Sequence, residues 1–219
     1  MTIIDLSHTI KDGLRTYKGL PPVHVCDFLS RDDSRHHYDE DTEFQLDKIE
    51  LVGNSGTYID SPFHRYADGN DLSELALGST VNLTSIIIRI PATRDWCAID
   101  RSFFENKDVY GKAVLFDTGW SKYFGTEAYF SKHPFLTAGA AQTLRRAGAV
   151  LVGIDSHNID DTRGRTRPVH SELLAHGIPI VEHLTNLNAL PDQGFYFTAA
   201  PLKFKGVGTF PTRAYATMD

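Results

Sequence analysis

Seven short runs rich in β-branched residues punctuate this 219-residue chain, at positions 3–6, 46–52, 83–90, 113–117, 149–155, 178–181 and 195–199. Turn-forming residues bound each of them, which gives them the length and punctuation of strands. Two stretches between the later runs carry helical signatures instead. Residues 137–147 (TAGAAQTLRRA) open on a Thr cap and stop at Gly148, and residues 168–175 have Pro168 in the first turn and stop near Gly177. Strands thus dominate the first half and alternate with helices in the second. The pattern predicts an α/β or α+β fold with 149–155 as a buried central strand. No internal repeat, low-complexity tract or Pro/Gly/Ser linker divides the chain, so one domain over 1–219 is expected.

Composition narrows the function classes. A chain with 41% hydrophobic residues can bury a sizeable core, so it needs no disulfide or metal to fold. Twenty-two basic residues against twenty-eight acidic ones give a net charge of -6, spread along the chain, with no basic stripe to track a nucleic-acid backbone. No apolar run is long enough to span a bilayer. The opening MTIIDLSHTIKDG is interrupted by Asp5 and Lys11 and lacks the layout of a signal peptide. Cys26 and Cys97 form no CxxC motif, so reduced thiols and a cytoplasmic location are expected.

Three segments hold polar groups that a plain fold would not require. In Gly53-Asn-Ser-Gly-Thr-Tyr-Ile-Asp-Ser-Pro-Phe-His64, an extended backbone would place Asn54, Tyr58 and Asp60 on one side. Pro62 would end regular pairing, with His64 just beyond the break. A Gly-rich turn capped by Asp60 explains the same pattern about as well. In Gly153-Ile-Asp-Ser-His157 an apolar run ends in polar residues, which would set Asp155 and His157 at the mouth of a cleft. For His157 a turn is the better reading. The third is His170 on the short helix with Glu182, which follows four apolar residues. A buried Glu182 demands a cation, because unpaired buried charge is too costly. No GxSxG elbow occurs, and Gly206-Val-Gly208 lacks the third glycine of a dinucleotide loop.

Together these segments resemble the cyclase superfamily, which includes bacterial kynurenine formamidases and isatin hydrolases. Residues 54–64 align without a gap to the family motif HxGTHxDxPxH, matching at Gly56, Thr57, Asp60, Pro62 and His64. The likeness continues through Asp5-Leu-Ser-His8, Tyr17-Lys-Gly19, Asp117-Thr-Gly-Trp-Ser121, His170, Ile180-Val-Glu-His-Leu184 and Pro211-Thr-Arg213. It implies a swivelling β/β/α architecture with a mixed sheet, and a homodimer or homotetramer. It also implies a catalytic role for His64, with Tyr58 and Asp60 beside it, and ligand roles for Asp60, His170 and Glu182.

The chain departs from the motif where Asn54 and Tyr58 replace the two histidines that bind the first ion. An amide oxygen and a neutral phenol are weak ligands. The resemblance therefore implies either one divalent ion, Zn or Mn, or none at all. The expected activity is cleavage of an amide, lactone or ester in a small molecule, arylformamidase-like by family, with Asn54 and Trp120 contacting substrate. The alternatives are a non-catalytic small-molecule binder, or a metal-independent dehydratase or isomerase in the same pocket. The survival of Asp60, His64, His170 and Glu182 favours the enzyme. Loss of the two histidines predicts weak or absent kynurenine formamidase activity.

Overall fold

The computed structural model describes residues 1–91 and 96–218. Nine strands form one mixed sheet, in the spatial order Thr2–Asp5, Tyr215–Met218, Gln193–Thr198, Leu83–Arg89, Ala113–Asp117, Leu151–Ile154, Ile180–Glu182, Tyr58–Asp60 and Thr209–Pro211. The four strands from Leu83–Arg89 to Ile180–Glu182 run parallel, and antiparallel strands flank them on both sides. Parallel strands covered on both faces read as continuous apolar runs, and Leu151–Ile154 is buried at every position. This is the α/β architecture with a mixed sheet that the sequence predicts.

Each face of the sheet carries its own core. On one, Val114, Phe116, Val152, Ile154 and Ile180 pack against Ala140, Ala141 and Leu144 of the helix Ala138–Arg146 and Leu173 and Leu174 of the helix Pro168–Leu174. On the other, Ala113, Leu115, Leu151 and Val181 meet Leu6, Leu184, Leu187 and Phe197. Both predicted helices are present, the longer one capped by the Thr137 hydroxyl accepting from the Ala140 amide at 3.1 Å. No helix among the described residues is long and apolar enough to cross a membrane. Cys26 and Cys97 are both free.

Two expectations need correction. The run at 46–52 is a strand only over Leu46–Glu50, and it pairs with His24–Leu29 in a separate two-stranded sheet rather than joining the main one. Its residues are exposed on both faces, so alternation carried no information about a core. Asp155 does not face a cleft. Its carboxylate turns back between the central strands, accepting from the Thr118 amide (2.9 Å), the Thr118 hydroxyl (2.5 Å) and the Trp120 amide (3.1 Å). Burial pushes its pKa up to about 6 despite those bonds.

Removing that acceptor strands buried donors. Asp155→Ala should lower the unfolding free energy by about 2–4 kcal/mol at pH 7, read from urea denaturation. A loss below about 1 kcal/mol would mean that these donors find other partners.

Candidate active site

The site begins in the strand Tyr58–Asp60. Alternation puts Tyr58 and Asp60 on one face and sends Ile59 into the core on the other. The neighbouring strand Ile180–Glu182 pairs with it in antiparallel register, with Glu182 opposite Tyr58 and Ile180 opposite Asp60. The Tyr58 hydroxyl donates to Glu182 Oε2, and the Ile159 amide donates to Glu182 Oε1 at 2.6 Å. Pro62 then ends the pairing, as expected. Residues Pro62–His64 form a single 3-10 turn that brings His64 Nδ1 to 3.8 Å from Asp60 Oδ1. The turn can sit there because residue 208 has no side chain: a Cβ on Gly208 would lie 2.4 Å from the His64 amide nitrogen. Gly208 is a packing glycine, which explains the Gly-Val-Gly sequence without a nucleotide.

Asp60 is fully buried, and among the described residues neither of its oxygens has a hydrogen-bond partner. A carboxylate in that state needs a cation. His170 supplies the nearest one, with Nε2 3.6 Å from Asp60 Oδ2 and 3.8 Å from Glu182 Oε1. A third carboxylate fixes the ring. Asp160 accepts from His170 Nδ1 at 2.7 Å, and also caps the helix by accepting from the Val169 amide (2.8 Å) and the His170 amide (3.0 Å). Burial alone would depress the pKa of His170, but the bond to Asp160 and the closeness of the Asp60 and Glu182 carboxylates push it up to about 10. Burial likewise raises Asp60, yet the imidazoles of His170 and His64 bring it below its ordinary value. Glu182 is pushed up to about 7, chiefly by burial, with the His170 charge opposing the rise.

Asp60, His64 and His170 each offer one ligand atom, and these three atoms lie within 4.8 Å of one another. Their donor set, two imidazoles and a carboxylate, suits a divalent transition metal. The orphaned oxygens of Asp60 and the Asp160-oriented ring of His170 fit such an ion. Glu182, expected as a ligand, stands beside the trio with both oxygens already accepting hydrogen bonds.

A cavity of about 260 Å³ opens over these groups, and Asn54, Tyr58, His64, His170 and Glu182 all line it. Five of the expected site residues therefore share one cavity, with Asp60 beneath it. Trp120 is not among its lining residues. It is buried elsewhere, its indole N–H donating to the Tyr129 carbonyl at 3.2 Å and its ring packed on Tyr123. His157 and His183 also lie outside the lining, in a buried aromatic cluster with Tyr17 and Tyr129. Burial holds both rings neutral, His157 down to about 2 and His183 to about 3.

Sequence reasoning assigned no role to Tyr17, Asn158 or Asp160. Tyr17 Oη lies 3.0 Å from Tyr58 Oη, can donate to the His157 carbonyl at 3.0 Å, and accepts from Asn158 Nδ2 at 2.7 Å. A chain of hydrogen bonds thus runs from Asn158 through two phenols to Glu182. Burial, with the charge of Glu182 next, raises both phenols well above their ordinary range. The only signal for Tyr17 was the short Tyr-Lys-Gly likeness, and nothing distinguished Asp160 from its neighbour Asp161.

Comparison with known proteins agrees with this architecture. The Cyclase family model matches residues 4–161, most of the chain, and the chain belongs to that family. A kynurenine formamidase from Maricaulis maris is 25% identical over 217 residues, covering 96% of this chain and 95% of that one. One from Bacillus cereus is 26% identical over 212 residues, with coverages of 96% and 95%. Isatin hydrolase A from Ralstonia solanacearum has the same fold, with a TM-score of 0.82 at 22% identity over 100% of this chain and 92% of its own. So does a predicted metal-dependent hydrolase from Bacillus stearothermophilus, with a TM-score of 0.78 at 24% identity and coverages of 98% and 97%.

Two outcomes test this geometry. Gly208→Ala forces the 62–64 turn away from Asp60, and should lower any turnover at least roughly 100-fold by misplacing His64. Unchanged turnover would show that the position of His64 is immaterial. In protein stripped of metal, the raised pKa of His170 contributes stability in full below about pH 6.5, and that contribution is lost as pH rises through about 10. Thermal unfolding should show this alkaline loss in the native chain and a flatter profile in His170→Asn.

Proposed function

We propose that this chain is a hydrolase that opens an amide, lactone or ester bond of a small molecule, using one divalent ion held by Asp60, His64 and His170. The observation that carries the reading is the fully buried Asp60 carboxylate without a hydrogen-bond partner, faced by two imidazoles. Kinship with kynurenine formamidases over nearly the whole chain supports hydrolysis as the reaction class. When bound, such an ion lowers the pKa of a coordinated water towards roughly 7 and polarises a carbonyl.

The protein's own residues do the rest. Asp160 holds the Nδ1–H of His170 and so keeps Nε2 turned towards Asp60. Glu182, held near 7 on the cavity wall, is suited to take a proton from an attacking water and return it to the leaving group. Tyr58 shares a hydrogen bond with Glu182 and keeps that carboxyl in place. This arrangement exchanges two roles expected from the family resemblance: His64 joins the ligands and Glu182 moves the proton. Tyr58 and Asn54 stand where the motif has the first ion's histidines, so a second ion is not expected.

Elemental analysis and kinetics on one variant series test the reading. The native chain should bind one Zn or Mn per subunit and hydrolyse N-formyl aromatic amines slowly, with chelation abolishing turnover. Asp60→Asn and His64→Ala should lose the metal, whereas Glu182→Gln should keep it and lose roughly 100- to 10,000-fold in kcat. Asn54→His with Tyr58→His should raise the metal content towards two. Retention of metal by His64→Ala together with its loss from Glu182→Gln would restore the roles first expected. Robust turnover that survives chelation would exclude a metal mechanism.

A further inference from the structure

A buried donor without a partner lies across the strands from Asp60. The edge strand Thr209–Pro211 pairs with Tyr58–Asp60 in antiparallel register, with Thr209 opposite Asp60 and Phe210 opposite Ile59. Two flanking bonds hold that register: the Ser61 amide donates to the Gly208 carbonyl at 2.7 Å, and the Thr212 amide to the Thr57 carbonyl at 2.9 Å. Residues directly opposite each other in such a pair send their side chains to the same face. Phe210 and Ile59 pack in one core, so Thr209 shares the other face with Asp60.

The Thr209 hydroxyl is buried and, among the described residues, has no hydrogen-bond partner. The same is true of both oxygens of Asp60. A buried hydroxyl and a buried carboxylate are each costly without a partner, and here the two are cross-strand neighbours. The methyl of Thr209 is seated against bare backbone. A Cβ on Gly53 would lie 2.9 Å from Thr209 Cγ2 and 2.4 Å from the Thr209 carbonyl oxygen, so only glycine at 53 leaves room for it. A β-branched side chain held in this way has little freedom at χ1. Ser61, the other hydroxyl without a partner, follows Asp60 in extended backbone and so points to the opposite face. Burial raises the Asp60 carboxyl, and the Thr209 hydroxyl joins the two imidazoles in bringing it below its ordinary value.

We infer that Thr209 is a positioning residue, whose hydroxyl donates to Asp60 and sets the plane of its carboxylate between His64 and His170. Asp60 Oδ1 faces His64 Nδ1 at 3.8 Å and Oδ2 faces His170 Nε2 at 3.6 Å, so one turn of the carboxylate changes both approaches. The terminal torsion of Asp is soft, and neither imidazole is close enough to fix it by a hydrogen bond. A hydroxyl donor takes up one lone pair of the carboxylate and leaves the others to a cation, either the His170 imidazolium or a divalent ion. What concerns an ion rests on the proposed metal site, whereas the contact between Thr209 and Asp60 does not.

Thr209→Val keeps the shape and removes the hydroxyl, whereas Thr209→Ser keeps the hydroxyl and removes the methyl. Calorimetric titration of Zn or Mn into chelator-stripped protein reads the effect without turnover. Thr209→Val should weaken binding roughly 10- to 100-fold, and Thr209→Ser should stay within about three-fold of the native chain. A Val variant that binds like the native chain would overturn the inference. So would a Ser variant that loses as much as Val, since the methyl against Gly53 would then be the part that matters. If the native chain binds no ion, the metal reading falls, and urea midpoints of the metal-free protein decide the inference instead. Thr209→Val should then lower the midpoint in the native background and leave it unchanged in Asp60→Ala, where the hydroxyl has lost its partner. Equal shifts in both backgrounds, or none in either, would show that the two groups do not interact and sink the inference.

Discussion

A carboxylate buried without a hydrogen bond is the constraint around which this molecule is arranged. Asp60 sits where the parallel centre of the sheet gives way to antiparallel strands, and among the described residues neither of its oxygens accepts a hydrogen bond. Leaving such a charge alone would cost more than most single interactions in the fold can offset. Every nearby element contributes to meeting it. The 62–64 turn brings one imidazole, the short helix brings another, and the 158–160 segment contributes Asp160, which keeps the second imidazole aimed correctly. A proton on His170 satisfies the charge in one state, and the donor set would suit a divalent ion in another. The two would compete for the same nitrogen, so on the proposed reading affinity for the ion would rise as protons are withdrawn.

Asn54 and Tyr58, at the two positions where the family motif has histidines, do more than fill a gap. Tyr58 is entirely buried and bonded at once to Glu182 and to Tyr17, so a hydrogen-bonded phenol pair stands at this position of the motif. That pair, with the Ile159 amide, holds the Glu182 carboxylate in place.

How much of this could be read from the residues differs by element. The central strands were legible because they are buried on both faces and so are apolar throughout, as at Leu151–Ile154. Thr209–Pro211 and Tyr215–Met218 escaped notice because they are short and only partly buried, and their pairing partners lie far away in sequence. The motif at 54–64 gave the site because its glycine, aspartate and proline each answer a local need: a left-handed turn at Gly56, a buried carboxylate at Asp60 and a strand stop at Pro62. Asp160 stayed hidden because its role exists only once the loop folds back on the helix. Trp120 was misplaced for the opposite reason, since its motif likeness marks a buried turn and not a contact surface.

The bond between Tyr58 and Glu182 has one more effect, on how the sheet is put together. These residues face each other across two strands of only three residues each, too short for backbone pairing alone to choose a register. A slip of one position would turn Ile59 towards the polar cavity and push Tyr58 and Asp60 into a dry core, leaving Glu182 without its phenol. The polar groups of the site therefore act as a proofreading device for strand assembly. Misaligned chains are penalised by stranded charge before any substrate is met.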